Sequence, residues 1–201
     1  MTLKFYMTPG SCSTGIHVLL ETLELPFEAW IVNLPAGEHR RPEYLALNPK
    51  GSIPTLVLDD GTALTDFISI AWWLGRQHPR ARLLPEDALG QARVLSVLSH
   101  VVGTVHGQGY TRIFTTDEYL LPGADAAARA AVQARGREIV AQGFAILDAA
   151  LQHSPWIAGD HFSIADAAVF YVAFWAERIG LPLPVGLARH LRQMRERPVV
   201  Q

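Results

Sequence analysis

At 201 residues, 49% of them apolar and 18% charged, the chain suffices for one large domain or two small ones around a substantial core, which excludes a disordered tail or scaffold. Lys and Arg number 17 against 19 Asp and Glu, a net charge of −2 with no long run of either sign, so the basic face expected of a nucleic-acid binder is missing. The single cysteine excludes an intramolecular disulfide and fits a reducing compartment. MTLKFYMTPGSCS has neither the charged start nor the apolar stretch of a signal peptide, and no uninterrupted run of 18 apolar residues offers a membrane span. The expectation is a soluble cytoplasmic protein that binds neither membrane nor nucleic acid.

The first 80 residues differ in pattern from the rest. LKFYM (3–7) reads as a strand stopped by Pro9 and Gly10, and Ile16, Leu19, Leu20 and Leu23 recur at helical spacing between Ser13 and Glu24. FEAWIV (27–32) reads as a second strand. Strand, helix and strand over so short a stretch make a βαβ unit with a right-handed parallel crossover. A short helix over 41–48 follows, then a hairpin over 54–64 turning at Asp60-Gly61, then a helix from Asp66 to Gln77. Beyond residue 87 strand signals stop. Helical patterns cover 87–118, 125–152, 163–179 and 184–197, with breaks at Pro122-Gly123, Pro155 and Pro182/Pro184. The chain is therefore expected to pair an α/β domain (1–80) with an all-helical domain (87–201), linked through Pro79 to Pro85.

Four stretches can carry chemistry. Gly10-Ser11-Cys12-Ser13 lies between the first strand and the first helix. Helix N-terminal N–H groups lower a thiol pKa there, whereas a lone cysteine elsewhere is commonly a small buried hydrophobe. Ser11 and Ser13 are natural helix caps whose hydroxyls can equally donate to a bound thiolate. In Asn48-Pro49-Lys50-Gly51-Ser52-Ile53-Pro54, a cis bond before Pro54 frees the backbone of Ile53 from the sheet, although most such bonds are trans. Asp66 opens the third helix either as its cap or as an acceptor for a ligand ammonium, beside N–H groups suited to a carboxylate. Ser163 with Asp166 three residues later has the spacing of a capping box, a folding signal. The eight histidines offer no metal-ligand spacing, so no metal is expected. His106 stands out because the glycines of GTVHGQGY (103–110) point to a locally opened helix near the domain junction.

Taken in order, the Cys12 turn, NPKGSIP, DDGTALTD, FSIAD and RERPVV resemble the cytosolic glutathione transferase superfamily over almost the whole chain. FYMTPGSCSTGIHVLLE is most like the bacterial beta-type branch. The resemblance implies a thioredoxin-like N-terminal domain, an all-α C-terminal domain and a homodimer with glutathione bound near the interface. It puts Cys12 against the glutathione sulfur, with Ser11, Ser13 and His106 as further candidates around the thiol. Ile53 would pair with the cysteinyl backbone, Pro54 would be the family's cis-proline, and Asp66 would meet the γ-glutamyl group, with Ser52 adjacent. Phe67 departs from the Ser or Gly usual after that acid; it keeps the N–H and loses a hydroxyl contact. The chain stops soon after RERPVV, so no tail is expected over the acceptor pocket. Tyr110 and Phe114 are the candidate walls of that pocket, and Tyr6, within the first strand, is the weaker candidate for an activating hydroxyl.

The implied activity is conjugation of the glutathione thiolate to a small apolar electrophile, with glutathione as co-substrate and no permanently bound cofactor. Two rival readings keep the scaffold. One is a glutathione-dependent thiol-disulfide reductase that uses Cys12 as nucleophile, and the other is a binding or regulatory protein without turnover.

Overall fold

The computed structural model describes residues 2–200. Strands β1 (Leu3–Met7) and β2 (Phe27–Ile31) run parallel with Leu3 opposite Phe27, joined by helix α1 (Ser13–Thr22). Ile16, Leu19 and Leu20, the positions that set the helical spacing, are fully buried. Helix α2 (Pro42–Leu47) has its proline in the first turn, where no intrahelical N–H is needed. Strands β3 (Thr55–Val57) and β4 (Ala63–Thr65) form the expected hairpin, and β3 lies antiparallel to β1, giving the order β2-β1-β3-β4. Helix α3 (Phe67–Gln77) follows and packs beside α1. Alternation along β1 splits its side chains: Phe5 and Met7 join the core with α1, while Tyr6 meets Tyr44 of α2 edge-on and stacks on Trp30.

The rest of the chain is helical. Helix α4 (Ala88–Ser99) is capped by Asp87, which accepts from Gly90 N–H at 2.8 Å. It continues through a π-helical stretch, His100–Tyr110, into α5 (Thr111–Phe114), so the opening expected at the glycines is present. Helices α6 (Ala126–Leu151), α7 (Ile164–Arg178) and α8 (Val185–Arg195) complete the bundle. By length and composition Ala88–Phe114 is apolar enough to cross a membrane, contrary to the expectation drawn from uninterrupted runs alone. In the fold its Val94, Leu98, Val101, Val105 and Tyr110 are buried side chains of the core.

Helix α7 joins the two halves. Ile164 to Ala173 are all buried, and α1 packs directly on the helix. Gly15 permits that approach, because a Cβ there would lie 2.5 Å from the Ala167 carbonyl oxygen. Trp175 of α7 also donates its indole N–H to the Gly10 carbonyl at 2.7 Å. The thioredoxin-like sheet unit and the helical unit consequently share one core.

Candidate active site

Cys12 occupies the N-cap position of α1 and is only 8% exposed. Its thiol donates to the Ile53 carbonyl, Sγ to O 3.6 Å. Burial pushes the thiol up to about 12; the N–H groups of Cys12 and Ser13 pull the other way without matching it, and the charge of Asp66 adds to the rise. The low-pKa thiolate expected from a helix N-terminus is thus corrected: desolvation of an anion outweighs the dipole and the N–H groups. The flanking serines are turned to the backbone. The Ser11 hydroxyl donates to the Thr8 carbonyl at 2.6 Å, and the fully buried Ser13 hydroxyl accepts from Thr8 N–H at 3.1 Å. Ser13 lines neither neighbouring cavity, which corrects its candidacy as a donor to a bound sulfur; Ser11 lines one.

Two cavities, of about 760 and 720 Å³, share Cys12, Ser52, Ile53 and His106 as common wall. The first runs to Pro54, Asp66, Phe67 and Trp72. Its rim is shaped by the buried Asn48, whose amide donates to the Ser52 carbonyl at 2.7 Å while its oxygen accepts from Lys50 N–H. The Tyr44 hydroxyl donates to the same Ser52 carbonyl at 2.6 Å. The Ile53-Pro54 bond is cis, and Ile53 N–H has no protein acceptor among the described residues. These structural roles of Asn48 and Tyr44 are not evident from spacing alone; the polar Asn within NPKGSIP is the one signal for them in the sequence.

Asp66 precedes α3 with φ 75° and makes no side-chain cap, so the helix-cap reading gives way. Its carboxylate pairs with the Lys50 ammonium instead. A non-glycine residue at that φ is strained and is characteristic of binding sites. The N–H groups of Phe67, Ile68 and Ser69 open the helix without backbone partners. The Phe67 ring turns away into the core, 5.3 Å from that of Tyr171 and almost wholly buried.

The second cavity is bounded by Gly10, Leu34, Phe114, Trp175 and Arg178. Phe114 therefore lines this cavity, but Tyr110 does not. Tyr110 is fully buried beneath Phe114, stacked at 5.4 Å, and its hydroxyl donates to the Val172 carbonyl at 2.7 Å. A periodic apolar helix does not reveal which aromatic ends inside and which faces a cavity, so Trp175 carries no signal of its own, and neither does Leu34 in the turn after β2. Tyr6 lines neither cavity. His106 lines both, half-buried, with its ring edge-on to Trp175 at 4.9 Å. Burial lowers its pKa to about 4, so the imidazole is neutral at physiological pH. No cluster of three or more metal-ligating side chains occurs among the described residues.

The arrangement is a largely apolar cleft ending in Asp66 and open N–H groups, a second cavity walled by Phe114 and Trp175 beside it, and a thiol and an imidazole between them. Residues 10–77 match the glutathione S-transferase N-terminal domain family and residues 130–200 its C-terminal domain family. A glutathione S-transferase of Escherichia coli O157:H7 is 31% identical over 206 residues, covering 99% of this chain and 96% of the relative. The crystal structure of a glutathione transferase homologue from Sulfitobacter with bound glutathione superposes with a TM-score of 0.89 at 26% identity, covering 99% of this chain and 95% of that one. A bacterial beta class glutathione S-transferase of Sphingomonas chungbukensis gives 0.83 at 28%, covering 98% and 94%.

Proposed function

Because the chain belongs to the glutathione S-transferase family, we propose that it conjugates glutathione to small apolar electrophiles at the junction of the two cavities. Glutathione, which the Sulfitobacter homologue binds, is the co-substrate and lies along the Ser52–Asp66 cleft. Asp66 accepts from the γ-glutamyl ammonium, the open N–H groups of α3 take its carboxylate, and Ile53 pairs with the cysteinyl backbone. The sulfur then sits beside Cys12 and His106, facing the cavity walled by Phe114 and Trp175. In this reading residues 1–80 bind glutathione and 87–201 supply the acceptor pocket. The exposed Leu89 and Leu95 of α4 fit a homodimer interface, and the setting is cytoplasmic.

The reaction forms one carbon–sulfur bond. Glutathione loses its thiol proton to solvent, the thiolate attacks the electrophilic carbon, and a leaving group such as halide departs with the bonding pair. Hydrogen-bond donors around the sulfur stabilise the thiolate, and each pKa unit gained is worth about 1.4 kcal/mol. Cys12 acts here as a protonated neighbour of the sulfur. The shared wall of the two cavities carries this reading, because it brings the two reactants to one sulfur. The test is turnover of a halonitroarene with glutathione against turnover of a glutathione mixed disulfide. Conjugation is expected to dominate; disulfide reduction without conjugation overturns the reading in favour of a Cys12 reductase. The raised thiol pKa of Cys12 argues against that rival, which needs a thiolate.

A further inference from the structure

His106 is held from behind by a residue that touches neither cavity. Its Nδ1 lies 3.2 Å from the hydroxyl of Tyr171 on α7, and Tyr171 is fully buried. That hydroxyl has no other hydrogen-bond partner among the described residues. Two arrangements of protons fit the distance. In one, the phenol donates to a bare Nδ1 and the imidazole proton sits on Nε2. In the other, Nδ1–H donates to the phenol oxygen, and the phenol proton is stranded in the core without an acceptor. A buried unsatisfied donor costs about 1–3 kcal/mol, so the first arrangement is the stable one. The network thus assigns the tautomer.

We propose that Tyr171 is a positioning residue for the transfer reaction: by donating to Nδ1 it fixes His106 as the neutral Nε2–H tautomer, which presents an N–H donor to the glutathione sulfur. This rests on the reading that glutathione binds beside His106. The ring cannot easily swing away, because Trp175 packs edge-on against it at 4.9 Å and Tyr171 at 5.7 Å. In this form His106 has no free lone pair, so it stabilises the thiolate as a donor and does not act as a base. The groups around it are consistent. Cys12 across the cleft is protonated, and Tyr110 below is a buried phenol raised by burial like Tyr171 itself. His39 and Arg178 share its second cavity, and Asp66 stands across the first, paired to Lys50.

Nitrogen-15 spectra of the histidine-labelled protein read the tautomer directly, without any variant. An Nε2–H pattern for His106 at neutral pH is expected, and an Nδ1–H pattern overturns the proposal. Kinetics supply the functional arm. Tyr171→Phe keeps the ring packing and removes only the hydroxyl. It should lower kcat roughly three- to ten-fold and raise the pKa of enzyme-bound glutathione by about 0.5–1, with KM for glutathione unchanged. If His106→Ala is impaired but folded Tyr171→Phe keeps the parent kcat and thiol titration, the proposal is wrong while the site reading stands. If His106→Ala conjugates at the parent rate, the reading of His106 at the sulfur falls, and the proposal with it.

Discussion

Cys12 and Ile53, 41 residues apart, meet where the thiol at the start of α1 donates to the carbonyl just before the Pro54 turn. This contact lies on the wall common to both cavities, and burial there keeps the thiol protonated. A thiol whose pKa is pushed up to about 12 should react with iodoacetamide at neutral pH at least tenfold more slowly than free cysteine, since the thiolate is the nucleophile. Mixed disulfide with oxidised glutathione should not accumulate. Cys12→Ala should reduce conjugation by less than about tenfold, because the thiol proton is given to the Ile53 carbonyl and not to the glutathione sulfur. Rapid alkylation, or complete loss of conjugation in the folded variant, would make Cys12 the essential nucleophile.

Asp66 combines a positive φ with a carboxylate open to the cleft. Asp66→Asn is the informative change, because asparagine tolerates such a backbone and only the charge is removed. Glutathione affinity, measured by calorimetry, should fall by about 1.5–3 kcal/mol, the range for hydrogen bonds to charged groups. Thermal stability should hardly move, since the exposed pair with Lys50 contributes little. An unaltered affinity would remove Asp66 from the glutathione site.

The pH dependence of stability should carry the mark of His106. Its folded pKa of about 4 lies below the unfolded value of 6.5, so between these values the unfolded chain binds more protons. This group's contribution is complete above pH 6.5 and is lost as pH falls towards 4. Denaturant midpoints compared across that window should fall more steeply for the parent protein than for His106→Gln. Parallel slopes would show that the imidazole is not desolvated.

Asp166 does more than complete a capping box. One carboxylate oxygen accepts from the N–H and hydroxyl of Ser163 at 2.9 and 2.8 Å, and the other from Ile157 N–H at 2.8 Å and His190 Nε2 at 3.0 Å. Asp166→Ala leaves several buried donors unsatisfied and should cost about 3–5 kcal/mol. Ser163→Ala loses one cap and should cost about 1–2 kcal/mol. Urea titrations give both values, and equal losses would contradict the shared role of Asp166. Glutathione affinity per folded molecule should stay at the parent level in both.

Much of this protein was legible in one dimension because its signals are local. The parallel strands around α1, the Asp60-Gly61 hairpin and the Ser163–Asp166 box each depend on residues a few positions apart. Periodicity and turn chemistry report such neighbours directly. The Cys12, NPKGSIP and TD stretches were recognisable for the same reason, each being a short run with a distinctive backbone demand.

Burial and convergence were decided elsewhere. Nothing near Cys12 in sequence states that Ile53 covers it, so its thiol looked activated when desolvation in fact raises its pKa. Nothing in GTVHGQGY states that Tyr171, 65 residues on, bonds to His106, or that Tyr110 turns into the core while Phe114 stays at the cavity. The sequence by itself determined the elements, their order and the family. Only the packing of α7 against α1 and the π-helical stretch decided which groups are desolvated and which face the cleft. Desolvation and hydrogen bonding between distant residues depend on separation in space, which residue spacing along the chain does not encode.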